Sequence, residues 1–240
     1  MTKRKTASAV IVIGLGCFAS VDAPAQVSKV RTTDGAVLST TAPKASTAIP
    51  DANPAAEEAL PDGVTLIYTN LGTGTSVYNA GTGWTEAGAE ANDYPLAEAM
   101  AFTLGSDPPN DYILVRIDMG ITYLQGTNGM NLILAEDNGG VPGTIIYSTS
   151  FTNLPDFGTC CTLQTAKLAP TKSSYVALKA GQQYWLYPLP ADTTTYLIWN
   201  LDVTNMQGNG AVSEDYGTSW TATTLDPFGA FSLYGYLVAK

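Results

Sequence analysis

Residues 112–124 read YILVRIDMGITYL. Ile113, Val115, Ile117, Met119 and Ile121 alternate there with Arg116, Asp118 and Thr122. A period of two sends successive side chains to opposite faces of a strand, so this run has one apolar and one polar face. Similar runs recur on both sides: 64–69 (VTLIYT), 99–104, 131–135, 144–149, 174–178, 183–189, 195–200 and 230–238 (AFSLYGYLV). Gly139-Gly140 and Pro142-Gly143 punctuate them with turn chemistry. From residue 61 onward no helical stripe exceeds about two turns. The expected fold is all-β: an antiparallel two-sheet β-sandwich, jelly-roll-like, occupying 62–240. An outer-membrane barrel also alternates, but here strand lengths vary and the chain ends in Lys240 where a girdle aromatic would stand, which favours the soluble sandwich.

Residues 26–61 carry Ala, Thr, Ser, Pro and Val, with no aromatic side chain and no sustained period. Such a stretch buries too little apolar surface to offset ordering entropy, so it reads as a disordered linker, with a short helix conceivable around 55–60. Residues 1–25 have the parts of a secretory signal: Lys3, Arg4 and Lys5, an apolar core over 9–18, and Ala23-Pro24-Ala25 before Gln26. A lipoprotein signal would use Cys17, yet Gly14 stands where a large apolar residue belongs. The expected compartment is the periplasm or the extracellular space.

The chain holds 11 Lys+Arg and 21 Asp+Glu, a net charge of −10. Removal of 1–25 takes away Lys3, Arg4, Lys5 and Asp22, which leaves 8 positive and 20 negative side chains and a net charge of −12. That balance opposes nucleic acid and anionic membrane surfaces as partners. There is no histidine, which excludes Ser-His-Asp and Cys-His catalysis and imidazole-based zinc sites. Cys160 and Cys161 are neighbours. In an oxidising compartment they form a vicinal disulfide, stay as two thiols, or link one chain to another.

The order of motifs resembles the exported bacterial domains called choice-of-anchor family R. The residues that carry the resemblance are 64–70 (VTLIYTN), a Trp-containing Gly-rich segment, Ala101-Phe102-Thr103, the long alternating run, 132–143 (LILAEDNGGVPG), 180–186 (AGQQYWL), Trp199-Asn200 and 217–220 (GTSW). They cover most of 64–238. The resemblance implies a jelly-roll-like sandwich and an extracellular life, and it implies no activity. The expected departure is at the C-terminus, where no sorting motif, apolar tail or basic stop follows Phe228.

Three chemistries remain open. Glu136 with Asp137, and Glu214 with Asp215, are the acidic pairs from which a carboxylate-based glycoside hydrolase would be built, but adjacent strand residues face opposite ways. Glu136, Asp137 and Asn138 offer oxygens within one turn to a structural calcium, although the spacing is not that of an EF-hand. The segment from Trp199 and Asn200 to Trp220, with Asp215 and Tyr216 inside it, reads as a long loop combining aromatic faces with amides and a carboxylate. Sugar rings stack on such faces. Core packing competes for the same aromatics, above all for Trp185 in Tyr184-Trp185-Leu186 and for Trp199. The expected function is a secreted, non-catalytic module that binds carbohydrate through Trp220, Tyr216, Asp215, Asn200 and Trp199. The alternative is a structural or assembly protein of the envelope or matrix acting by protein contacts, and the hydrolase ranks third.

Overall fold

The computed structural model describes residues 27–31, 36–41, 60–105, 110–171 and 173–238. The signal-like segment 1–25 lies outside them. Sixteen strands and one short helix follow in chain order: β1 (Val27–Arg31), β2 (Val37–Thr41), β3 (Val64–Thr69), β4 (Thr82–Ala87), α1 (Ala89–Asn92), β5 (Ala97–Thr103), β6 (Asp111–Met119), β7 (Ile121–Gln125), β8 (Gly129–Asp137), β9 (Pro142–Thr152), β10 (Gln164–Lys167), β11 (Ala177–Leu178), β12 (Gln183–Pro190), β13 (Tyr196–Asn200), β14 (Gln207–Ser213), β15 (Thr221–Pro227) and β16 (Phe231–Val238). The fold is all-β and antiparallel, as the alternation requires.

Three sheets form where the sequence reading gives two. Their orders are β1-β2-β4-β13-β7, then β10-β6-β16-β3 with β11 also on β6, and β15-β14-β5-β12-β8-β9. The extra sheet comes from the run that decides the fold. It is two strands, β6 and β7, and the chain passes from the second sheet to the first at Gly120. A Cβ on Gly120 would lie 2.7 Å from the Tyr78 ring, so no side chain fits the crossing without a shift. Backbone bonds close the seam: Gly120 N–H donates to Ala230 O (2.9 Å), Asn200 N–H to Gly120 O (2.9 Å) and Ala230 N–H to Asn200 O (2.8 Å). The last strand, β16, lies between β6 and β3.

Within 26–61, read from composition as a linker, β1 and β2 are strands, and β2 pairs with β4 (Leu38 opposite Trp84). The valines of VSKVR and VLSTT favour extended backbone despite their polar neighbours. Residues 42–59, with most of the helix expected at 55–60, lie outside the described part.

The main core draws Trp84, Met100, Phe102, Leu114, Leu186, Trp199 and Phe231 from all three sheets. The opposite face of the six-stranded sheet has its own cluster, Ala99, Ala101, Ile133, Ala135, Trp185, Tyr187 and Ala211. Central strands of this sheet are therefore apolar on both faces.

Candidate functional site

The segment from Trp199 to Trp220 is not one loop. β13 ends at Asn200, β14 occupies Gln207–Ser213, and only the turn into β15 carries the remaining candidates. Trp199 and Asn200 are fully buried. The Trp199 Nε1–H donates to Ala230 O, and Asn200 donates through Nδ2 to Asn79 O (3.0 Å) and accepts from the Thr122 hydroxyl (2.9 Å). Both residues hold the seam together and face no solvent.

Asp215, Tyr216 and Trp220 do come together. Asp215 accepts from the Ser213 hydroxyl (2.8 Å), the Ser219 N–H (2.8 Å) and the Ser219 hydroxyl (2.6 Å). The Ser219 bonds hold its carboxyl below the usual carboxylate range. Both oxygens are thus engaged within the turn. Tyr216 adopts φ 58° and Gly217 φ 76°, which folds the chain back on itself. The Tyr216 hydroxyl accepts the Ala89 N–H (2.9 Å) while the side chain stays 36% exposed. Trp220 is half-buried, edge-on to Tyr187 at 4.8 Å and 64°, and close to Gly217 and Leu189. The turn presents two aromatic rings held from behind, with no unengaged carboxylate beside them.

Asp137 lies at the opposite end of the sheet, because β14 and β8 run in opposite directions across β5 and β12. The two acidic pairs therefore do not face one cleft. Asp137 Oδ1 accepts from Trp185 Nε1–H (2.8 Å), Gln183 Nε2–H (2.8 Å) and Gly140 N–H (3.1 Å). Burial works to raise this carboxyl, and those hydrogen bonds outweigh it, so the group sits below its ordinary value. A cation at Glu136, Asp137 and Asn138 would compete with three donors for that oxygen. Among the described residues no group of three or more acidic or cysteine side chains converges.

A cavity of about 300 Å³ opens beside Leu60, Val115, Arg116, Lys167, Pro170 and Tyr236, and no carboxylate lines it. Cys160 and Cys161 are joined as a disulfide across a cis peptide, next to the Tyr78 carbonyl.

The sheet edges complete the candidates. β1 carries Lys29 and Arg31, and β10 carries Lys167. β15 contains Asp226 and ends in Pro227, and its pairing with β14 slips between Gly208 and Gly210. β7 is covered, since Tyr123 N–H donates to Pro155 O and Phe157 N–H to Tyr123 O (both 2.7 Å). β3 is uncharged but six residues long. β9 differs from all of these. Its 11 residues, PGTIIYSTSFT, hold no charge and no proline after the first position. It pairs with β8 on one side and with no described strand on the other. Ile145 is 53% exposed on it, and Ser148 and Ser150 are exposed as well. Charges, prolines and bulges are the usual guards of an edge; β9 lacks the first two along its length, and its pairing with β8 slips only toward its Pro142 end, on either side of Ala135.

Sequence reasoning placed a strand at 144–149 without marking it as an edge. The available signal was the absence of any charged residue from Asn138 to Pro155. No family model, curated protein or solved structure matches the chain.

Proposed function

We propose that this chain is a secreted, non-catalytic binding module of the assembly class, which joins other polypeptides by adding an extended strand at β9. The observation that carries this is the edge itself: 11 uncharged residues paired, among the described strands, on one side only. In strand addition, main-chain hydrogen bonds supply affinity and alternate side chains supply selectivity. The signal-like N-terminus supports a life outside the cytoplasm.

A display library of extended peptides, screened against the purified protein, tests the proposal. Bound peptides should alternate β-branched with small polar residues, slow amide exchange across 143–152, and lose at least tenfold in affinity against Ile145→Lys/Ser148→Lys. Both positions are exposed, so the variant should keep the parent's circular dichroism and melting. Binders indifferent to the double variant, or none at all, would remove β9 from consideration.

A second reading has its own support. Trp220 is braced edge-on by Tyr187 while remaining half-exposed, and Tyr216 shares its turn. Such a pair is a stacking platform for a sugar ring. On this reading Trp220→Ala lowers glycan binding at least tenfold in an array screen while the fold persists.

A further inference from the structure

We infer that the strand received at β9 is the β9 of a second copy of this chain. Self-pairing rests on the strand-addition reading and adds the identity of the partner. Three features point to it.

The first is charge. A chain of net charge −10 repels its own copies over most of its surface. Along β9 itself no side chain adds to that repulsion, because no charged residue occurs between Asn138 and Pro155.

The second is self-complementarity. A two-fold axis normal to the sheet sets two β9 strands antiparallel, and full overlap of Pro142–Thr152 places Tyr147 on the axis. Ile145 then stands opposite Thr149 of the second copy, Ile146 opposite Ser148, and Thr144 opposite Ser150. Every pair is uncharged, and most join β-branched or hydroxyl side chains that suit cross-strand contact.

The third is closure. The pairing of both outer strands of the six-stranded sheet slips, β15's between Gly208 and Gly210 and β9's on either side of Ala135. Charge and proline are therefore what separate the two ends: the β15 sequence holds Asp226 and Pro227, and β9 has no charge and no proline beyond its first residue. A sheet with a single receptive edge pairs once and stops, giving a twelve-stranded sheet in a closed dimer instead of a filament.

Sedimentation of the purified protein across micromolar to millimolar concentrations provides the test, with amide exchange of 143–152 followed in parallel. A dimer fraction that rises with concentration, slower exchange confined to β9, and at least a tenfold weaker dimer in Ile145→Lys/Ser148→Lys are expected. The double variant places like charges beside the axis while its exposed positions leave the monomer folded. A chain that stays monomeric yet captures displayed peptides through β9 sinks self-pairing and leaves strand addition standing. A monomer that captures none sinks both. A dimer unaffected by the double variant, or growth into filaments, also overturns the inference.

Discussion

Each half of the six-stranded sheet is tied to a carboxyl group, and the two groups hold opposite charge states. At the β9 end, Asp137 is ionised and accepts from Trp185, Gln183 and Gly140. At the β14 end, Glu86 reaches from β4 to accept the Glu98 N–H (3.0 Å) at the start of β5, and its other oxygen is buried without a hydrogen-bond partner among the described residues. Burial drives the Glu86 carboxyl well above its ordinary value, and the Glu98 bond only partly opposes this. Burial separates the two first and donors second: Glu86 is fully buried with one donor and is driven toward its protonated form, while Asp137 is exposed and accepts three hydrogen bonds that keep it charged. The signs follow from linkage. Asp137, with a lowered folded value, contributes stability that is present above its unfolded value and is lost as pH falls through the folded one. Glu86, with a raised folded value, contributes stability that is complete below its unfolded value and is lost as pH rises through the folded one. Acid should therefore loosen the β9 half first, and alkali the β14 half.

The largest effect should come from Asp137→Ala. It strands the fully buried Trp185 indole N–H, which costs about 2–3 kcal/mol in denaturant titration at pH 7. Wild type should lose part of that margin in acid, where protonation weakens the three hydrogen bonds without removing the acceptor, and the variant should show less of this acid loss. A cost under about 0.5 kcal/mol would mean that Trp185 finds another acceptor and that the β9 half has no anchor of this kind.

Glu86→Gln comes next. The amide is nearly isosteric with the protonated acid, so at pH 4 the two proteins should agree within about 1 kcal/mol. As pH rises, wild type should weaken while the variant stays flat, so their melting curves diverge on the alkaline side. Parallel curves would show that Glu86 is not the titrating group. The smallest effect belongs to Ile145→Lys alone, within about 0.5 kcal/mol on dilute monomer, because the side chain is already exposed. A larger loss would show that the β9 edge depends on its own side chains to stay folded.

Much of this architecture was legible, and the misses have physical causes. Strand runs with large aliphatic residues were readable from period alone, including β8, β9, β12, β13 and β16. Trp185 is buried as its flanks imply. β4 (TGWTEA) and β14 (QGNGAVS) were not readable, because glycine, alanine and hydroxyl side chains fill their close contacts. Gly208 leaves room for the Phe228 ring, and Gly83 for the Ile198 side chain and the Trp199 backbone. The run 112–124 misled for the opposite reason: its period continues unbroken through Gly120, while the sheet it serves changes. Of the site candidates, Trp220, Tyr216 and Asp215 were close in sequence and are close in space. Trp199 and Asn200 were assigned to the same loop only because β14 is silent in sequence. Asp137 was noticed as an oxygen donor to a cation, whereas its bond to Trp185 joins residues 48 positions apart.

The placement of β16 also has a meaning in time. It fills the gap between β6 and β3, so the second sheet lacks its middle until the last residues of the chain arrive. Pairings this distant in sequence form slowly, and here the delay is built into the order of synthesis. Before residues 231–238 emerge, β3 and β6 have no strand to bridge them, and the second sheet stays open. A topology whose keystone comes so late in sequence leaves one sheet open while the other two can already pair.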